Sequence, residues 1–120
     1  MTTTIFHTFI FESARRLPNL PESHICSRLH GNTFRLKVSV SGLVRESEGW
    51  IMDFAAVAAA VEPILAEIDH HLLNEVPGLE NPTTENIVLW LWRRISTQLQ
   101  GLSELELHEN DTTGCICRGG

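Results

Sequence analysis

The sequence predicts an α+β domain in which four antiparallel strands carry two helices on one face. Two kinds of periodicity, and their order along the chain, predict it. Apolar residues alternate with polar ones towards both ends, as in half-buried strands. Through the middle they recur every three or four residues, as in amphipathic helices. The order is strand, strand, helix, helix, strand, strand, and a helical pair between two hairpins covers one face of the sheet they build. At 120 residues the chain is a single domain, residues 1–120, long enough for a real core.

The first strand reads from Ile5 to Glu12, with Ile5, His7, Phe9 and Phe11 on one face. Ser13 to Leu29 has no sustained period and contains Pro18, Asn19 and Pro21, so it reads as a long loop; loops of that length in small domains are usually functional or disordered, and the cysteine cluster it carries favours function. Phe34, Leu36, Val38 and Val40 alternate with Arg35, Lys37, Ser39 and Ser41, a strand with one wet face. Gly42 and Arg45 to Gly49 make the turn, and Trp50 to Met52 reads as a short returning strand. Asp53 is placed to cap the first helix, whose stripe is Phe54, Val57, Val61, Leu65 and Ile68; Pro63 marks a kink or a division. Thr83 or Thr84 caps the second helix, which buries Ile87, Trp90, Leu91, Ile95 and Leu99 and ends at Gly101. Glu104 to Glu109 and Thr113 to Arg118 complete the strands, with Cys115 and Cys117 facing the same way. Four strands alone leave edges exposed, so assembly of several chains into a closed barrel is expected.

Composition excludes several function classes. A net charge of −6 argues against a dedicated nucleic-acid binder. No apolar run reaches the roughly 18–20 residues of a membrane span, and the opening Met1-Thr2-Thr3-Thr4 has no signal-peptide pattern. Three cysteines without such a signal fit reduced thiols in the cytoplasm.

Chemistry concentrates in His24-Ile25-Cys26-Ser27-Arg28-Leu29-His30-Gly31-Asn32, where a thiol, two imidazoles and a guanidinium fall within nine residues. Soft ligand atoms at this density point to a metal site or a thiol–imidazole pair. By itself Asp69-His70 reads as a polar pair at a helix end, Glu109 as part of a solvated acidic strand face, and Cys115 and Cys117 as strand residues.

Five motifs in one order change that balance. They are Phe11-Glu12-Ser13-Ala14-Arg15-Arg16-Leu17-Pro18, His24-x-Cys26-x-Arg28-Leu29-His30-Gly31, Asp69-His70-His71-Leu72-Leu73-Asn74, Asn81-Pro82-Thr83-Thr84-Glu85-Asn86, and Glu109 before Thr113-Gly114-Cys115. Together they resemble the 6-pyruvoyl-tetrahydropterin synthase family, in particular its 6-carboxy-tetrahydropterin synthase branch of queuosine biosynthesis, over nearly the whole chain. The resemblance implies a tunnelling fold (T-fold), a ββααββ unit that assembles into homotrimers stacked as hexamers, with sites between subunits. It implies a small-molecule pterin substrate, 7,8-dihydroneopterin triphosphate, converted to 6-carboxy-tetrahydropterin with loss of acetaldehyde and triphosphate. It assigns Cys26 as general base, Asp69 and His70 as a proton relay, Glu109 as the pterin anchor, and Thr83 and Thr84 as neighbours of the ring.

These residue types suit those roles. A thiol of ordinary pKa about 8.5 needs a positive neighbour or proton acceptor to act as a base. A carboxylate behind an imidazole fixes its tautomer, and a glutamate accepting parallel hydrogen bonds selects a pterin- or guanine-like edge.

The resemblance also implies zinc held by three histidines, and here the sequence departs. The three positions are Arg15, His30 and Asn32, so His30 alone keeps a family ligand. Arginine is not a zinc ligand and asparagine is a poor one. Three readings stay open: Arg15 supplies fixed charge and binds substrate without a metal; His24, Cys26 and His30 rebuild a site for zinc or another divalent metal; or the chain is a non-catalytic pterin-binding paralogue. A metal-free retro-aldol cleavage of dihydroneopterin, releasing glycolaldehyde, shares the fold.

Overall fold

The computed structural model describes residues 1–120 throughout. Strands β1 (Thr2–Arg15) and β2 (His30–Leu43) are followed by helices α1 (Phe54–Ala66) and α2 (Thr84–Ile95), then strands β3 (Leu102–His108) and β4 (Gly114–Cys117). The sheet is antiparallel with order β1-β2-β3-β4. The expected α+β class and element order are what the chain adopts.

The longest ladder pairs β1 with β2 from Thr2↔Leu43 to Arg15↔His30. Period-two alternation sends Phe9, Phe11, Phe34, Leu36 and Val38 to the same face, where all are buried. Phe11 and Phe34 lie opposite each other in the register and stack with centroids 4.9 Å apart. Against this face α1 sets Val57, Val61 and Leu65, and α2 sets Ile87, Leu91 and Ile95. Asp53 caps α1 by accepting the Ala55 N–H at 2.8 Å, and Thr83 caps α2 by accepting that of Asn86 at 3.1 Å.

Several boundaries differ from the sequence reading. β1 runs three residues beyond Glu12, because Ser13 and Arg15 keep the inward phase of Phe11 and are themselves buried. The loop after it therefore starts at Arg16, and it contains a single 3-10 turn at Ile25–Ser27. Trp50 to Met52 forms bends rather than a strand; Ile51 is nonetheless buried, so its apolarity reports packing rather than pairing. Phe54 is exposed and Ile64 takes its place in the stripe of α1, which continues through Pro63. α2 stops at Ile95, capped by Ser96, before Leu99 packs into the core. Gly101, at φ +85°, makes the turn into β3 where a Cβ would press within 3.1 Å of the Ser41 carbonyl.

The segment that follows α1 positions the site. Its backbone docks on the free edge of β1: Ala14 N–H donates to His71 O at 2.9 Å, His70 N–H donates to Glu12 O at 2.5 Å, and Ala14 forms a parallel bridge with Leu72. Asn74 fastens the next loop, accepting the Arg16 N–H at 3.0 Å and donating to Arg16 O at 2.8 Å.

Candidate active site

Two polar clusters form where β1 ends and β2 begins. The first is buried and centres on Arg15, which is 3% exposed. Its Nε donates to Asn32 Oδ1 at 3.0 Å, its Nη1 to Pro82 O at 2.9 Å and to Thr84 Oγ1 at 3.3 Å, and its Nη2 pairs with Glu109 Oε2. The Thr84 hydroxyl in turn donates to Glu109 Oε2 at 2.8 Å. The Arg15 guanidinium also lies 5.1 Å from the centroid of Phe34. A buried guanidinium needs this density of acceptors, because an unpaired charge in the interior is strongly destabilising. Partial burial would raise the Glu109 carboxyl, but hydrogen bonds from Thr84 and Arg15, with the charge of Arg15, outweigh it and hold the group below its ordinary range.

The second cluster lies at the edge of β1. Asp69 Oδ1 accepts the Glu12 backbone N–H at 2.9 Å and sits 2.9 Å from His70 Nδ1. The Glu12 hydrogen bond is the main reason that the Asp69 carboxyl is lowered, with His70 adding to it. Asp69 thus stays ionised behind the imidazole, the arrangement that orients a histidine for proton transfer. His70 takes φ +58°, rare for a residue with a Cβ, and its docking on Glu12 holds it there.

A cavity of about 530 Å³ is lined by Glu12, Asn32, Thr33 and His70 among others. An adjoining hollow of about 350 Å³ includes Glu109 and shares Gly31, Asn32 and Thr33 with it. A carboxylate and an oriented imidazole therefore face neighbouring hollows on either side of one short stretch of β2.

Cys26 and Thr83, also singled out from the sequence, make no hydrogen bond to Glu109 or to the His70 ring. Cys26 lies in the 3-10 turn, half-buried, with its N–H donating to His24 Nδ1 at 3.0 Å and its carbonyl accepting from Leu17 N–H at 2.8 Å; no hydrogen bond links its thiol to His70 within the chain. Thr83 spends its hydroxyl on the α2 cap, so of the two threonines Thr84 reaches Glu109. Glu12 and Thr33 went unassigned in the sequence reading. Glu12 lies inside the first quoted motif, and strand alternation puts it on the face opposite Phe11.

The residues at the three expected zinc positions do not fit the ion. Arg15 has no lone pair to offer, Asn32 Oδ1 is engaged by Arg15, and His30 Nδ1 lies 2.7 Å from Arg28 O. His24, Cys26 and His30 do not gather as an alternative, and no three His, Cys, Asp or Glu side chains are placed to hold a metal.

With this geometry in view, the comparisons with known proteins are direct. The family profile described as 6-pyruvoyl tetrahydropterin synthase matches residues 4–120. The chain belongs to the 6-pyruvoyl tetrahydropterin synthase family. Within it, the chain is 34% identical over 115 residues to the 6-carboxy-5,6,7,8-tetrahydropterin synthase of Synechocystis, covering 91% of this chain and 88% of that one. It is 42% identical over 89 residues to the dihydroneopterin monophosphate aldolase of Pyrococcus furiosus, covering 72% and 75%. The fold superposes on the Caenorhabditis elegans 6-pyruvoyl tetrahydropterin synthase with a TM-score of 0.92 at 20% identity, over 100% of this chain and 97% of that one. The tunnelling fold expected from the motifs is thus the fold of this family member.

Proposed function

We propose that this protein is a pterin-metabolising lyase of the 6-carboxy-tetrahydropterin synthase type, converting 7,8-dihydroneopterin triphosphate and water to 6-carboxy-tetrahydropterin with release of acetaldehyde and triphosphate, as a step towards queuosine. The observation that carries the reading is the pair of adjoining hollows, one presenting Glu109 and the other His70, with Asp69 behind its imidazole. Glu109 accepts hydrogen bonds from the ring edge, Arg15 and Thr84 fix the position of that carboxylate, and His70 moves a proton at the side chain. Cys26 takes the other proton, supplied by a neighbouring subunit of a homotrimer or hexamer, which explains why it stands apart from His70 in one chain.

No step is assigned to a metal. Arg15 provides a fixed positive charge at the first of the expected ligand positions, its charge largely balanced by Glu109. The identity to the Pyrococcus aldolase supports a second reading, reverse-aldol cleavage of a dihydroneopterin side chain on the same residues.

One experiment separates the readings: incubation of chelator-treated protein with dihydroneopterin triphosphate and, in parallel, dihydroneopterin monophosphate. Acetaldehyde and 6-carboxy-tetrahydropterin without added metal support the synthase; glycolaldehyde phosphate supports the aldolase. Activity that appears only on adding a divalent metal overturns the metal-free assignment. A Cys26→Ala variant as active as its parent overturns the role of Cys26, and binding without turnover leaves a pterin-binding protein.

A further inference from the structure

The imidazole of His70 has a carboxylate on both sides, and the two stand at different distances. Nδ1 is 2.9 Å from Asp69, while Nε2 is 3.8 Å from Glu12 Oε2. The first is an ion-pair contact within hydrogen-bond distance. The second is too long for a hydrogen bond, and leaves both atoms open to a shared oxygen set to one side of the line between them, about 2.8 Å from each. The rest of Glu12 is held in place. Its N–H and carbonyl bind Asp69 and His70, and its Oε1 accepts from Thr33 Oγ1 at 3.1 Å across the ladder, so Oε2 is the oxygen left to take a ligand. Glu12 and His70 line the larger cavity and not the hollow that holds Glu109, while Thr33 lines both.

We propose that Glu12 is a specificity-determining residue of this site: its Oε2 and His70 Nε2 together hold a hydroxyl on the side chain of the bound pterin. The hydroxyl donates to the carboxylate and accepts from the imidazole when Nε2 carries a hydrogen, which places the carbon bearing it beside the group that moves its proton. Glu109 then reads the ring and Glu12 reads the side chain, so a ring without a hydroxylated side chain fills only half of the site. The inference rests on the pterin reading above and adds the feature that distinguishes one pterin from another.

The test is equilibrium binding of pterin and of neopterin, identical rings without and with the hydroxylated side chain, to the full-length protein and to its Glu12→Gln variant. The parent is expected to prefer neopterin by about tenfold or more, the size of one hydrogen bond to a charged group. In Glu12→Gln the preference falls to within about twofold while pterin affinity stays unchanged, and Glu12→Asp recovers part of it. Unchanged pterin affinity also certifies the fold of the variants, as expected for an exposed side chain. A parent that binds pterin but shows no preference for neopterin, or a variant that keeps the preference, overturns the role of Glu12 alone. A parent that binds neither compound overturns the pterin reading together with this inference.

Discussion

Arg15 is the residue on which the buried part of the site depends. It joins the ends of β1 and β2, the Asn81–Thr84 loop and Glu109 through one guanidinium. Arg15→Ala strips partners from Asn32, Pro82 O and Glu109 at once and is expected to cost about 2–4 kcal/mol, read as a lower urea midpoint at unchanged slope. Arg15→Lys recovers little of this, since an ammonium cannot reproduce the planar fork. The two clusters together set an acid limit. Glu109 is held below its ordinary value of 4.5 and Asp69 below its ordinary 3.8, so each binds a proton less readily folded than unfolded. Their contribution is present above those ordinary values and is lost as the pH falls through the depressed folded ones. Glu109→Gln is therefore expected to flatten the dependence of stability on pH below about pH 4.5, measured by urea unfolding at a series of acid pH values. The sequence marked Arg15, Asn32 and Glu109 individually. That they form one hydrogen-bonded unit was not legible, because Arg15 and Glu109 are 94 residues apart in the chain.

At the scale of elements, caps and alternation were readable because their causes are local. Asp53 was identifiable as the cap of α1, and Asp53→Ala is expected to cost about 1 kcal/mol, visible as a fall in melting temperature of a few degrees. Element ends were less legible where packing decided them. β1 continues to Arg15 because β2 pairs with it that far, and Trp50 to Met52 forms bends in which Ile51 is buried by packing and not by a ladder. The Asp69–His70 segment shows the same limit. It is set by backbone bonds to Glu12 and Ala14, which cover the C-terminal end of the edge of β1 and hold His70 at positive φ.

The whole molecule is elongated, 57 × 24 × 24 Å, with an open sheet. The edge of β1 before Glu12 and the outer edge of β4 have no strand partner in the chain, and Phe6, Ile10 and Ile116 are exposed. Unpaired edges with apolar side chains favour pairing with further copies. Light scattering is expected to give the mass of three or six chains, and the double variant Ile10→Lys, Ile116→Lys to lower it. A parent that is monomeric at micromolar concentration overturns the expected assembly. No helix is long and apolar enough to cross a membrane.

By itself the sequence determined the fold class, the order of elements, most of the core and the residue types available for chemistry. These follow from periodicity, capping and motif spacing, which act over a few residues. Tertiary structure alone decided that Arg15 is buried against Glu109 and Asn32, that Cys26 bonds to His24 and Leu17 rather than to His70 within one chain, and that Glu12 Oε2 stands 3.8 Å from His70 Nε2. Each of those depends on distant segments meeting, and a pairing in space has no period in the sequence from which it can be read.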